Sequence, residues 1–375
     1  MTTLNPFRYG TIVEGSYFID RENEIKEIKN NLYSGLNLII YSPRRYGKTS
    51  VMAKVLKELN EEGYFIVYID MFRITSQKKF IEYYSREILK NQPHFKKVIT
   101  KFQSFVKGIS PAVSFDNQGN PLFSVSFHPG VSLTDSLTGI LDLPEKLVQN
   151  KKWIIVYDEF QEIEKLNGEN FEKLMRSVIQ FHNMTTYVFM GSKSHLLLNM
   201  FNRKNRAFYK FGKLMKINKI NEKDFQEYIS FRFTEAGFDY MNDLPEKIVR
   251  ITNNIPYYVQ FLASEVWNEG LNNNRRIRDQ ELDNAIDKIL NNQQDYYIEI
   301  FDKLSLYQKK VLQALIQSRV KIFSEEYRVN YDLGATSSTQ RALERLAQLE
   351  IVEKNGGRIE FTDPFFPVFM QRNFT

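Results

Sequence analysis

Leu36-Asn37-Leu38-Ile39-Ile40-Tyr41-Ser42-Pro43-Arg44-Arg45-Tyr46-Gly47-Lys48-Thr49-Ser50 begins as an apolar β-type run and passes through a short polar loop to Gly-Lys-Thr. Val51 to Leu59 then carries the apolar spacing of an amphipathic helix. Strand, loop, Gly-Lys-Thr and helix in that order form a phosphate-binding loop. Its backbone N–H groups curl around an anion at a helix start, where unpaired donors and the helix dipole favour negative charge. Lys48 is expected to reach the β- and γ-phosphates of a nucleotide, and the Thr49 hydroxyl to bind Mg²⁺. Pro43, Arg44, Arg45, Tyr46, Gly47 and Ser50 complete the expected nucleotide-contacting loop. The first glycine of the usual G-x-x-x-x-G-K-[ST] pattern is replaced by Ser42. Gly-Lys-Thr alone recurs by chance; its flanking elements and a second motif give it weight.

That second motif is Lys152-Trp153-Ile154-Ile155-Val156-Tyr157-Asp158-Glu159-Phe160-Gln161. A buried parallel strand runs into two adjacent carboxylates. An acid at the carboxyl end of such a strand holds Mg²⁺ in nucleotide hydrolases, which assigns Asp158 to the metal. The next residue, Glu159, is placed to polarise the water that attacks the γ-phosphate. An ordinary Asp-Glu turn is the bland alternative; beside the phosphate loop, ATP hydrolysis is the leading expectation. Guanine recognition finds little support, because Asn218-Lys219-Ile220-Asn221 lacks the terminal aspartate of Asn-Lys-x-Asp.

The chain has 375 residues, 42% hydrophobic and 26% charged, which suits a globular protein of two or three domains. No apolar run approaches the ~20 residues needed to span a bilayer, so no membrane partner is expected. The amino terminus lacks the basic and apolar regions of a signal peptide, and a cytoplasmic location is expected. With no cysteine, the chain has no disulfide, Cys-ligated zinc or thiol nucleophile. His94, His128, His182 and His195 lack metal-ligand spacing. The net charge of +6 permits an anionic partner without requiring one. Its distribution says more: Lys173 to Asn221 holds ten Lys or Arg and no Asp or Glu. Such a stretch reads equally as a solvated face near a triphosphate, or as a nucleic-acid track or subunit contact.

Phe18-Ile19-Asp20-Arg21-Glu22 leads into a first helix, and strands are expected near 36–41, 64–70, 153–157 and 186–191. One long charged helix is expected over roughly 76–106, and a β-hairpin near 111–130 with its turn at Asp116–Pro121. Strands alternating with helices predict an α/β fold, a parallel sheet flanked by helices. Residues 221–293 read as wholly helical. Beyond Asp295, helices at Leu306–Gln317 and Ser337–Leu349 precede a hairpin at 351–361 with an Asn355-Gly356-Gly357 turn, the order of a winged helix-turn-helix. The expected domains are therefore 1–219 (P-loop domain with the hairpin insert), 220–294 (all-α lid) and 295–375 (winged helix).

With these residues in view, the chain resembles the AAA+-like ATPases of the STAND group, particularly the archaeal and bacterial "DEFQ" ATPases. The resemblance spans nearly the whole chain. Besides the two motifs it uses Gly191-Ser192-Lys193, Arg206-Ala207-Phe208-Tyr209, Asn254-Ile255-Pro256-Tyr257-Tyr258 and Thr362-Asp363-Pro364-Phe365-Phe366. It implies that Phe18 and Arg21 belong to a segment packed near adenine, with Asp20 replacing a glycine. It implies that Ser192 senses the γ-phosphate, and that Pro256 belongs to a Gly-x-Pro motif of the lid, with Asn254 where glycine is usual. Arg206 is the candidate charge-stabilising arginine, acting within the chain or on a neighbouring copy; a basic surface residue is the equal alternative.

Two functions compete. One is an ATP-driven, Mg²⁺-dependent switch that passes its nucleotide state to a protein partner through the winged helix. The other is an ATP-regulated DNA-binding protein resembling replication initiators, with Ser337–Leu349 in the major groove. Phe301 to Thr375 carries eleven basic and nine acidic residues, a weak footprint for phosphate contacts. A homo-oligomer is a further candidate, and a metabolite kinase is weaker because adjacent Asp158 and Glu159 point to water as nucleophile.

Overall fold

The computed structural model describes residues 4–13, 15–90, 95–115, 117–118, 121–147, 151–355 and 358–374. His94, three residues of the expected hairpin turn (Asp116, Gly119, Asn120) and Gly356-Gly357 lie outside them. The chain divides into two compact units. One comprises residues 21–44 and 48–218, the other 1–20, 45–47 and 219–375.

The first unit is built on a five-stranded parallel sheet. Its strands are β1 (Leu38–Tyr41), β2 (Phe65–Asp70), β5 (Trp153–Asp158), β6 (Thr185–Gly191) and β7 (Lys213–Lys216), in spatial order β2-β5-β6-β1-β7. The intervening β3 (Ile109–Phe115) and β4 (Pro121–Phe127) form the expected antiparallel hairpin. Every residue of β5 and β6 is buried, which is why both read as continuous apolar runs rather than alternating ones. Register pairs Asp70 with Asp158, and Tyr41 with Gly191, so the carboxyl ends of sequence-distant strands are level. Ligands of open α/β sheets bind at that edge.

The helix Lys48–Glu61 buries Val51, Met52, Val55, Leu56 and Leu59 on one face, the i, i+3/i+4 pattern of an amphipathic helix. Within the expected helix over 76–106, Gln77–Lys90 and Phe95–Phe105 are helical. The short edge strand β7 escaped the sequence reading, because Lys213-Leu214-Met215-Lys216 buries only Met215 and carries no run of apolar residues.

The second unit is mainly helical. Asn221 caps Glu222–Glu235 by accepting from the Lys223 N–H, and Pro256 opens Pro256–Asn272 at the position where a missing N–H costs nothing. The region is not wholly helical: β8 (Asp239–Tyr240) and β9 (Arg276–Ile277) make a two-residue parallel pair, too short to leave a periodic signal. Asp279–Asp302 is one continuous helix through the expected boundary at 294. Leu306–Gln317, Glu325–Asn330 and Thr336–Gln348 follow, then the hairpin β10 (Val352–Asn355) and β11 (Arg358–Phe361), then Phe365–Phe374. Helices followed by a hairpin are the expected winged-helix order. Among the described residues no helix is long and apolar enough to cross a membrane.

Candidate functional site

At the carboxyl edge of the first unit's sheet, the structure brings together Lys48, Asp158, Glu159 and Ser192. Lys48 opens its helix and is 7% exposed; its Nζ lies 3.5 Å from Asp158 Oδ1 and 3.4 Å from Glu159 Oε1. Asp158 ends β5, and its Oδ1 accepts the Glu159 N–H at 2.9 Å. Its Oδ2 accepts a hydrogen bond from the Tyr68 hydroxyl on β2. Burial, then the facing Asp158 carboxylate, pushes the Tyr68 hydroxyl well up from its ordinary value, so it stays a donor.

Glu159 leaves the strand with left-handed backbone (φ 51, ψ 44), which starts the 3₁₀ turn Phe160–Leu166. That turn brings Gln161 back against it. Glu159 Oε2 accepts from Gln161 Nε2 at 2.5 Å, from the Ser192 N–H at 3.1 Å and from the Ser192 hydroxyl at 2.8 Å. Burial alone would raise the Glu159 carboxyl; Lys48 and these donors outweigh it and hold it below the ordinary glutamate range. The result is a half-buried carboxylate with one oxygen saturated and the other facing an ammonium.

Gln161 and Tyr68 are the residues sequence reasoning missed. Gln161 had a faint signal, two positions after Glu159 in a quoted motif. Tyr68 had none, because its partner lies 90 positions away across a strand pair. Gly191 is tied to Gln161: a Cβ built there would fall inside the contact radius of Gln161 Oε1, and 3.3 Å from Leu197.

Other predicted residues stand apart. Ser42 is buried, with no hydrogen-bond partner for its hydroxyl among the described residues. Thr49, Ser50 and Pro43 are half-buried, and exposed Arg44 lies 6.0 Å over the Phe72 ring. Arg21 is buried, with φ 76, and its guanidinium binds Glu24 at 2.6 Å and the Asn218 carbonyl at 2.5 Å. Arg206 pairs with Glu164 at 3.0 Å and, more closely, with fully buried Glu172. In the second unit, Phe18 is half-buried and Pro256 buried. Asp20 and Asn254 have φ 52 each, so both occupy the left-handed backbone that glycine adopts most readily. Short polar side chains tolerate that region best after glycine. Arg45 (φ 70), Tyr46 and Gly47 (φ 84) also belong to the second unit.

The basic stretch is less one-sided in space. Lys173 faces Glu169, Lys193 Glu162, Arg206 the two glutamates above, and Lys213 Glu27. Lys219, in the second unit, faces Glu360. Arg176 stacks 4.0 Å over Phe211. Acids from outside the stretch thus neutralise much of it.

The donor chemistry fits Mg²⁺-nucleotide. Asp158 offers hard carboxylate oxygen and Thr49 a hydroxyl, the kind of set Mg²⁺ uses when water and phosphate fill most of its shell. Lys48 adds a point charge at a helix start.

Residues 18–262 match a family described as an ATPase domain predominantly from Archaea, and residues 295–372 match a probable winged helix domain. An uncharacterized ATP-binding protein of Methanocaldococcus jannaschii is 27% identical over 164 residues, 40% of this chain and 41% of its own length. The chain thus spans about two fifths of that relative. A second such protein of the same organism is 19% identical over 89% of this chain and 92% of its own. Among solved structures, the Walker-type ATPase of Pyrococcus abyssi is similar with TM-score 0.65 and 16% identity, covering 98% of this chain and 99% of its own. The ORC1 protein of Aeropyrum pernix, solved in complex with DNA, gives TM-score 0.50 and 14% identity over 95% and 94%. At those identities the likeness is one of fold.

Proposed function

The chain belongs to the family of ATPase domains found predominantly in Archaea, and from that premise we propose that it is an ATP-binding and ATP-hydrolysing switch that couples nucleotide state to a partner through its winged helix. The observation that carries the reading is Glu159: a half-buried carboxylate, held ionised by Lys48, Gln161 and Ser192, beside the strand-end Asp158. In this reading Gly47, Lys48 and Thr49 cradle the phosphates, and Glu159 takes the proton of the attacking water. Bound Mg²⁺, held by Thr49 and Asp158, would neutralise charge on the phosphoryl group. Ser192, hydrogen-bonded to Glu159, links the base to the γ-phosphate end of the site. By the resemblance, Pro256 is assigned to a lid, Phe18 to an adenine-contacting segment and Arg44 to the phosphate loop. The domain division 1–219, 220–294 and 295–375 and the place within the STAND "DEFQ" branch are part of the same proposal. Arg21 and Arg206 are better explained by the carboxylates and carbonyl they already hold.

Phosphate release from MgATP tests it. Lys48→Ala should abolish nucleotide binding; Glu159→Gln should retain binding and lose turnover. Turnover by Glu159→Gln equal to wild type would sink the assignment. A DNA-regulated protein is the second reading, favoured by the winged-helix match and weakened by the paired basic stretch. Hydrolysis stimulated by duplex DNA would promote it over a protein-coupled switch.

A further inference from the structure

The loop residues Arg45 and Tyr46 make contacts that phosphate binding does not explain. Tyr46 is 2% exposed, packed in the apolar core of the second unit. Its hydroxyl donates to Glu353 Oε1 on β10 at 3.0 Å, a partner 307 positions along the chain. Burial, then the Glu353 charge, pushes that hydroxyl well up, so it remains a donor. The Arg45 carbonyl accepts the Tyr257 N–H at 3.2 Å. Its guanidinium lies 5.0 Å over Tyr257 and 4.8 Å over Tyr258, and 3.9 Å from Asp363 Oδ2. Asp363 is itself fixed by the Phe365 N–H at 2.9 Å and the Tyr297 hydroxyl at 3.1 Å.

These contacts answer a local conformational problem. Arg45 and Gly47 both carry positive φ, a conformation that a side-chain-bearing residue such as Arg45 holds only under strain. A strained tip persists when surrounding contacts over-determine it. Here the contacts come from β10 and from the Thr362-Asp363-Pro364 segment, which the hydrolysis chemistry leaves without a task. The long Arg45–Asp363 pair is partly exposed and weak by itself; the shorter Tyr46–Glu353 bond, made by a buried tyrosine, is the stronger anchor.

We propose that Glu353 and Asp363 are positioning residues of the phosphate loop: through Tyr46 and Arg45 they fix its tip, making nucleotide affinity a property of the carboxyl-terminal winged-helix region. The inference rests on the reading of Gly47-Lys48-Thr49 as the nucleotide site, so two readouts keep the questions apart. Hydrogen–deuterium exchange of the full chain follows the amides of residues 44–50; calorimetric titration with MgATP follows affinity. Tyr46→Phe, Glu353→Gln and Asp363→Asn should each speed exchange in the loop. Tyr46→Phe and Glu353→Gln should each weaken MgATP binding about 3- to 10-fold, the net worth of one hydrogen bond, and the double variant should be no worse than either alone. Unchanged loop exchange in Glu353→Gln, wild-type affinity in all three variants, or tighter binding overturns the proposal. A merely structural role would lower the melting temperature and move neither readout. If wild type and Lys48→Ala alike bind no MgATP, the nucleotide reading falls, while exchange in Glu353→Gln still decides whether Glu353 fixes the loop.

Discussion

Gly191→Ala is the sharpest perturbation of this site, because it alters no group that touches nucleotide in the mechanism. The added methyl would overlap Gln161 Oε1 and approach Gln161 Cδ at 3.4 Å and Leu197 Cδ2 at 3.3 Å. Gln161 is 3% exposed, with little room to retreat except by giving up its 2.5 Å bond to Glu159. A hydrogen bond to a charged group is worth about 1.5–3 kcal/mol, which corresponds to a loss of roughly 10- to 150-fold if it is needed in the transition state. The loss should fall on kcat, with the KM for MgATP little changed, because Lys48 and Thr49 are untouched. Steady-state phosphate release gives both constants. Removing the glutamine side chain removes the clash, so Gly191→Ala with Gln161→Ala should be no slower than Gln161→Ala alone. Wild-type kcat in Gly191→Ala, or losses that multiply in the double variant, would refute the idea that Gly191 acts through Gln161 on Glu159.

Tyr68→Phe removes the donor to Asp158 Oδ2 and should raise the Mg²⁺ concentration for half-maximal hydrolysis by about 3- to 10-fold, leaving ATP affinity in excess Mg²⁺ nearly unchanged. Arg206→Ala strands fully buried Glu172 and should cost about 3–5 kcal/mol of stability in denaturant titration. Burial already raises the Glu172 carboxyl, with Arg206 opposing that, so the folded state holds its proton more tightly than the unfolded. Stability of the variant should therefore recover as pH falls and Glu172 protonates; a penalty independent of pH would contradict the pairing. Glu159 has the opposite sign. Its carboxyl is held below the ordinary range, so the base form persists above that depressed value and hydrolysis should fail only as pH drops through it. In Gln161→Ala the acidic limb of kcat should move upward, since one of the donors holding the carboxylate is gone; an unmoved limb would mean Gln161 does not tune it.

Much of the candidate site was legible in the chain itself. Lys48, Thr49, Asp158 and Glu159 stand in short contiguous patterns whose strand, turn and helix grammar is written in neighbouring residues. Periodicity and turn chemistry act over a few positions, so the parallel α/β sheet, the helical region and the winged-helix order could be read without coordinates.

Tertiary structure decided which side chains serve those groups. Gln161 reaches Glu159 only because a left-handed residue turns the chain, and because Gly191 on the neighbouring strand leaves space for it. Tyr68 meets Asp158 through the register of β2 against β5, and Tyr46 meets Glu353 through packing 307 positions apart. The basic run from Lys173 to Asn221 looked one-sided in sequence, yet Glu27, Glu162, Glu164, Glu172 and Glu360 supply the missing charge. Pairings of this kind depend on strand order and core shape, which arise from burying many apolar residues at once and leave no trace in any single stretch of chain.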